Sequence, residues 1–126
     1  MNLLDTHALV WAIDQPALLS RTARQMIESE PFVVSAVSLW ELTIKAEKSK
    51  GPVRDPIAWW DAHITGGAVP VLGIEIGHIR RLAALRPLHR DPFDRLLICQ
   101  SIQEGFPLIT QDRVIRRYEG IVNCIW

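Results

Sequence analysis

His89-Arg-Asp-Pro-Phe-Asp-Arg-Leu-Leu-Ile-Cys-Gln-Ser101 is the stretch on which the fold of this chain turns. Pro92 suits the first position of a helix, where its missing N–H leaves no bond unmade, and Asp91 is a good N-cap before it. Phe93, Leu96, Leu97 and Ile102 recur at helical spacing. Gly105 fits the left-handed residue that closes such a helix. The spacing therefore predicts a helix from Asp91 to about Glu104. Asp94 falls in its first turn, beside the positive end of the helix dipole. Either acid alone is explained as a cap. A second role for Asp94 requires other carboxylates to converge on it.

On both sides of this helix, short apolar runs alternate with helical patterns. Met1–Leu4 predicts a strand ending at Asp5-Thr6, with a helix following through Ile13. Ser20 caps a helix that reaches Glu30. Phe32–Val37 is β-branched and free of charge, as a strand buried on both faces should be. A helix follows from Ser38 to about Lys48, and Asp55-Pro56 opens another through Trp59 and Trp60. Val69–Leu72 reads as a short strand whose Pro70 belongs at a sheet edge or a strand start. A helix is expected over Glu75–Leu85, a strand over Pro107–Thr110, a short helix over Val114–Tyr118 and a last strand over Ile121–Trp126. Strands alternating with helices predict an α/β fold, a single domain over residues 1–126. Its central sheet should be mainly parallel, with helices on both faces.

Ligands of such sheets collect at the carboxyl ends of the strands. That rule gathers four acids. Asp5 ends the first strand, Glu41 lies one turn into the helix after Phe32–Val37, Asp94 opens the central helix and Asp112 follows the Pro107–Thr110 strand. Each has a structural explanation by itself: Asp5 and Asp112 as caps, Glu41 as the partner of Ser38 in a capping box. Together they occupy four separate strand-to-helix junctions. A cluster of oxygen donors open to solvent is what magnesium or manganese takes.

Composition sets the remaining bounds. A chain of 126 residues, 48% hydrophobic and 22% charged, is an ordinary globular domain. Fourteen basic residues balance fourteen acidic ones, so any attraction for a polyanion must be local. Cys99 and Cys124 lack zinc-like spacing and read as small buried hydrophobes in a reducing compartment. No apolar run reaches membrane-spanning length, and Asp5 interrupts the segment a signal peptide would need. The expectation is a cytoplasmic protein without a membrane role. Trp59 and Trp60 occupy adjacent helical positions about 100° apart. At least one of the pair is expected on an apolar surface that marks an interface.

Leu3-Leu-Asp-Thr-His-Ala-Leu-Val-Trp11, Ser38-Leu-Trp-Glu41, His89–Arg95 and Thr110-Gln-Asp112 resemble the four motif blocks of the PIN-domain nucleases. They most resemble the VapC-like ribonuclease toxins of bacterial toxin–antitoxin pairs. The resemblance implies a metal site made by Asp5, Glu41, Asp94 and Asp112, catalytic through one or two Mg2+ or Mn2+ ions. It places Thr6 and Thr110 at the border of that site. It also implies hydrolysis of RNA to a 3′-hydroxyl and a 5′-phosphate, an antitoxin partner and a homodimer. Cys99 and Ser101 stand where small alanines are common in the family, a departure that keeps size small. Arg90 and Arg95 flank Asp94 and Arg113 follows Asp112, which makes them candidates for phosphate contact. His7 and His89 are not spaced as a zinc pair, and neither is expected to be a metal ligand.

Two other classes compete with this assignment. A non-catalytic PIN-like module would bind RNA or a partner without cutting, but it has no need to keep four mutually repelling acids. A phosphoacceptor signalling domain wants adjacent acids after its first strand and a Lys after a late one. Here Asp5 is followed by Thr6-His7, and no Lys follows Thr110.

Overall fold

Leu3 and Leu4 are both fully buried, yet in two different cores, because successive side chains of a strand leave opposite faces. The same split separates Val33 from Val34 and Leu108 from Ile109. A sheet apolar on both sides has to be covered on both. The computed structural model describes residues 1–118 and 120–126. Its sheet consists of β1 (Asn2–Leu4), β2 (Phe32–Ser35), β3 (Val71–Leu72), β4 (Leu108–Ile109) and β5 (Cys124–Ile125). All are parallel, in the order β3-β2-β1-β4-β5, with Leu3 opposite Val33 on one side and Leu108 on the other. The covering helices are α1 (Thr6–Asp14), α2 (Arg21–Ser29), α3 (Ala36–Glu47), α4 (Pro56–His63), α5 (Ile76–Ala84) and α6 (Pro92–Glu104). The α/β architecture expected from the alternation of patterns is therefore the one observed.

That strand order positions everything that follows. The chain steps outward from β1 to β2 to β3, then returns to place β4 on the free side of β1. Connections leave the carboxyl ends of β1 and β4 in opposite directions. A crevice opens between them, the usual ligand position in such sheets.

α6 begins and ends where its sequence requires. The Asp91 carboxylate accepts the N–H groups of Phe93 at 2.8 Å and Asp94 at 3.1 Å. Gly105 closes the helix with φ of 71°. Its buried surface is wider than the expected stripe, since every residue from Leu96 to Ser101 is buried. The cause is that α3 and α5 flank α6 in addition to the sheet. One of the two polar members of that run is tied on two sides. Gln100 accepts from the Ser35 hydroxyl at 2.5 Å and donates to the Gly73 carbonyl at 3.1 Å.

Several boundaries move. β2 ends at Ser35 rather than Val37, because the Ser35 hydroxyl accepts the Val37 N–H at 3.0 Å and caps α3. Ser38 is then inside the helix, so the capping box expected with Glu41 does not form. Val69 and Pro70 lie outside β3, a strand at the sheet edge as its proline suggests. The short helix near Tyr118 is a tight 3-10 turn over Ile115–Tyr118. Cys99 is buried and Cys124 half-buried. Trp60 is buried, and Trp59 is half-buried with its Nε1 donating to Asp14 at 3.1 Å. The open indole belongs instead to Trp40, 48% exposed and edge-on to Phe93. Among the described residues, no helix is long and apolar enough to cross a membrane.

Gln100→Leu keeps the side-chain volume but strands the Ser35 hydroxyl and the Gly73 carbonyl. It should lower stability by about 1–3 kcal/mol, the usual cost of orphaning buried polar groups. Urea unfolding would register this as a lower midpoint at an unchanged slope. An unchanged midpoint would show that these bonds do not hold α6 in place.

Candidate active site

Asp5 follows β1 directly. Its Oδ1 accepts the Ala8 N–H at 2.8 Å and so caps α1. From the end of β4 the Thr110 hydroxyl hydrogen-bonds the same carboxylate. Thr110 Oγ1 also accepts the Asp112 N–H at 3.0 Å, so one hydroxyl ties two acids across the crevice. Asp112 turns its Oδ1 to the N–H groups of Val114 at 2.7 Å and Ile115 at 3.0 Å. Both acids are caps, as each alone predicts. Capping engages Oδ1 of each and does not use the other oxygen.

Glu41, well inside α3, is 3% exposed, and each of its oxygens has one partner. One of its oxygens accepts the Thr6 hydroxyl at 2.7 Å, and the other pairs with Lys45 one turn later. Thr6 has a single proton to give and an ionised carboxylate can only accept. The Ser38 hydroxyl, 3.0 Å from Thr6 Oγ1, therefore donates to Thr6. At the start of α6, Asp94 Oδ2 lies 3.2 Å from His89 Nε2. The same nitrogen is 3.1 Å from Asp112 Oδ2. Ligand-type atoms of His89, Asp94 and Asp112 all fall within 4.8 Å of one another.

The electrostatics join these groups into one site. Burial pushes the Asp94 carboxyl up to about 8, reinforced by the negative charges of Asp91, Glu41, Asp5 and Asp112. Burial also lifts Asp5 to about 6, against the opposing pull of the Thr110 and Ala8 hydrogen bonds and the nearby His7. Burial would raise Asp112 as well, but the His89 hydrogen bond and the N–H groups of Ile115 and Val114 hold it below the usual carboxylate range. Lys45 is pulled down by its own burial. The bond to Glu41 and the charges of Glu41, Asp91 and Asp94 outweigh that, so its ammonium stays above the ordinary lysine value.

Asp5, Thr6, Glu41, Asp94, Thr110 and Asp112 are thus brought together as the sequence predicts. The arginines differ from one another. Arg95 directs its Nη1 to the carbonyls of His89 at 3.2 Å and Arg86 at 3.3 Å, which fastens the loop before α6. Arg90 and Arg113 are exposed. Lys45, Ser38 and His89 belong to the same network and were not foreseen in it. Lys45 had a signal, since four residues after Glu41 on one helix is the spacing of an ion pair. His89 had none, because it acts from a loop. The donor set is mainly carboxylate and hydroxyl oxygen, which fits a hard divalent cation better than zinc.

A parallel five-stranded sheet with a cluster of acids at its reversal point is an α/β domain with a candidate cation site. The sequence pattern of the PIN domain matches residues 3–121, and the chain belongs to the PIN-domain family. It is a homologue of ribonuclease VapC22 of Mycobacterium tuberculosis, 32% identical over 118 residues that span 92% of this chain and 90% of that one. Two solved structures have the same fold. The DNA-bound VapBC of Salmonella typhimurium matches with a TM-score of 0.70 and 19% identity over 99% of this chain and 98% of that one. VapBC2 of Rickettsia felis, bound to a DNA fragment from its promoter, matches at 0.69 and 16% over 98% and 96%.

The raised acids give a signed pH dependence. Asp94 at about 8 and Asp5 at about 6 both lie above the ordinary 3.8, so the folded state holds protons that the unfolded chain releases. Their contribution to stability is lost as pH rises through those values and regained as pH falls. Asp112, held low, acts the other way only below the ordinary carboxylate range. In chelator, the melting temperature should climb by several °C, on the scale expected for a domain of this size, from pH 9 to pH 6. Asp94→Asn should flatten the upper part of that slope. A flat wild-type profile would contradict the crowding of these acids.

Proposed function

We propose that this chain is a divalent-metal-dependent endoribonuclease, the toxin of a toxin–antitoxin pair, acting on RNA in the cytoplasm. The observation that supports it most is the convergence of Asp5, Glu41, Asp94 and Asp112 at the reversal point of the sheet, with Asp94 held up to about 8 by burial and its neighbours' charge. A cluster of that kind favours a cation. Asp5, Glu41, Asp94 and Asp112 would hold one or two Mg2+ or Mn2+ ions. Bound there, the metal supplies an activated water and stabilises charge on the leaving oxygen.

The chain's own residues do the remaining work. Lys45 and Thr6 hold the Glu41 carboxylate in place. Thr110 holds Asp5 and Asp112 to one spacing. Arg90 and Arg113 are exposed and close in sequence to Asp94 and Asp112, and would contact phosphates of the RNA backbone. Arg95 fastens its loop through Nη1 and has further N–H groups to offer the backbone. The relatives' VapBC assemblies support a cognate antitoxin as protein partner, and a homodimer is proposed with it. Exposed Ile57, Ile74, Ile76 and Ile79 provide apolar surface for such contacts.

Asp5→Asn and Asp94→Asn should each lower Mn2+-dependent cleavage of a generic RNA on the order of 100-fold or more, since several kcal/mol of charge stabilisation depend on the metal. Asp91→Asn should keep most activity, because Asn caps a helix about as well as Asp. Gel-resolved cleavage rates, with melting temperatures as the folding control, decide it. Equal loss at Asp91 with a normal melt would move that residue into the site.

A further inference from the structure

His89 lies in the loop between α5 and α6 and is fastened there from three directions. Its backbone N–H donates to the Tyr118 hydroxyl at 2.9 Å, and that hydroxyl donates to the Arg86 carbonyl at 2.6 Å. Its carbonyl accepts from Arg95 at 3.2 Å. The ring is fixed as well. Nδ1 accepts the backbone N–H of Asp91 at 3.1 Å, and a nitrogen that accepts carries no proton. The proton of the neutral ring is then on Nε2. That N–H donates to Asp112 Oδ2 at 3.1 Å, while Asp94 Oδ2 lies 3.2 Å from the same nitrogen as a charge contact without a hydrogen bond.

Two consequences follow from this geometry. Nε2 cannot take a metal without losing its proton, which would leave an imidazolate whose other nitrogen is already engaged. The cluster of His89, Asp94 and Asp112 therefore does not act as a three-ligand nitrogen–oxygen site. Second, Asp112 Oδ1 already accepts from Val114 and Ile115, so the His89 bond determines which way its remaining oxygen turns. Each carboxylate oxygen has two lone pairs, and the one N–H on Asp112 Oδ2 leaves the rest available.

We propose that His89 is a positioning residue: through its Nε2–H it fixes the free oxygen of Asp112 beside Asp94, so that both carboxylates can meet one divalent cation, without being a ligand itself. The proposal rests on the metal-nuclease assignment above. Hydrogen bonds to metal-ligating carboxylates of this kind typically change metal affinity 10–100-fold when removed.

The test uses the full chain, stripped with chelator and titrated with Mn2+ by calorimetry at one fixed pH. His89→Ala should weaken Mn2+ binding about 10–100-fold. His89→Gln, whose amide N–H replaces the Nε2 donor, should restore most of that loss. Long-range 1H–15N spectra of the metal-free wild type should show the proton on Nε2, a readout that does not depend on either variant folding. Pulsed EPR of the Mn2+-loaded wild type should show no directly coordinated imidazole nitrogen. Undiminished affinity in the Ala variant, no recovery in the Gln variant, a proton on Nδ1, or nitrogen in the ion's coordination shell would each overturn the role. Wild-type protein that binds no Mn2+ at all would overturn the metal-nuclease assignment too. Wild-type binding with an unaffected Ala variant would overturn only the role of His89.

Discussion

Carboxylates buried side by side repel one another, and the hydrogen bonds around Asp5, Glu41, Asp94 and Asp112 are arranged to hold them together nonetheless. Backbone N–H groups of Ala8, Val114 and Ile115, the hydroxyls of Thr6 and Thr110, the Lys45 ammonium and the His89 ring all point into this cluster. The N-termini of α1 and α6 add partial positive charge, each worth about 0.3–1 kcal/mol at an exposed end. Asp94 still rises from 3.8 to about 8. With each unit worth about 1.4 kcal/mol, two helix ends cannot offset a displacement of that size. On the proposed function, a divalent cation would supply that compensation, and the network would hold these carboxylates ready for it.

The sheet makes this crowding unavoidable. β1 and β4 are short strands whose last residues, Leu4 and Ile109, are fully buried in the same core. Leu4 pairs with Ile109, so the next residues, Asp5 and Thr110, lie side by side, and both are buried. Because the strand order reverses between β1 and β4, no crossover covers that point from above. Packing on both faces of the sheet thus sets the position of polar chemistry at its edge. Overall charge contributes nothing to this, since acidic and basic residues balance across the chain.

Much of this was legible in the sequence, and what was not has identifiable causes. α6 was readable because Asp91, Pro92 and Gly105 are local signals that tertiary contacts had no reason to override. The alternation of elements gave the parallel sheet, and the rule about carboxyl ends gave the four acids. β2 was overextended because Val37 favours a strand on propensity, while the Ser35 hydroxyl offered the chain a cap and the helix began early. The Trp59–Trp60 pair is expected to put at least one indole on an open surface. The angular argument was right that the pair cannot share one environment, but a carboxylate on a different helix, Asp14, satisfies the indole N–H and lets Trp59 lie half-buried. His89 could not be found by spacing at all. Its role depends on a ring held between residues 5 and 23 positions away, and only the folded geometry brings Asp94 and Asp112 to one nitrogen.

The central claim is that these acids form one cation site. A crystal grown or soaked with Mn2+, with anomalous scattering recorded at the manganese edge, tests it directly. The predicted result is one or two peaks with oxygens drawn from Asp5, Glu41, Asp94 and Asp112 at about 2.0–2.1 Å, the range for small hard cations, and His89 nitrogen outside that shell. A fully loaded crystal whose peaks lie only on surface carboxylates away from Asp5 and Asp94 would contradict the account.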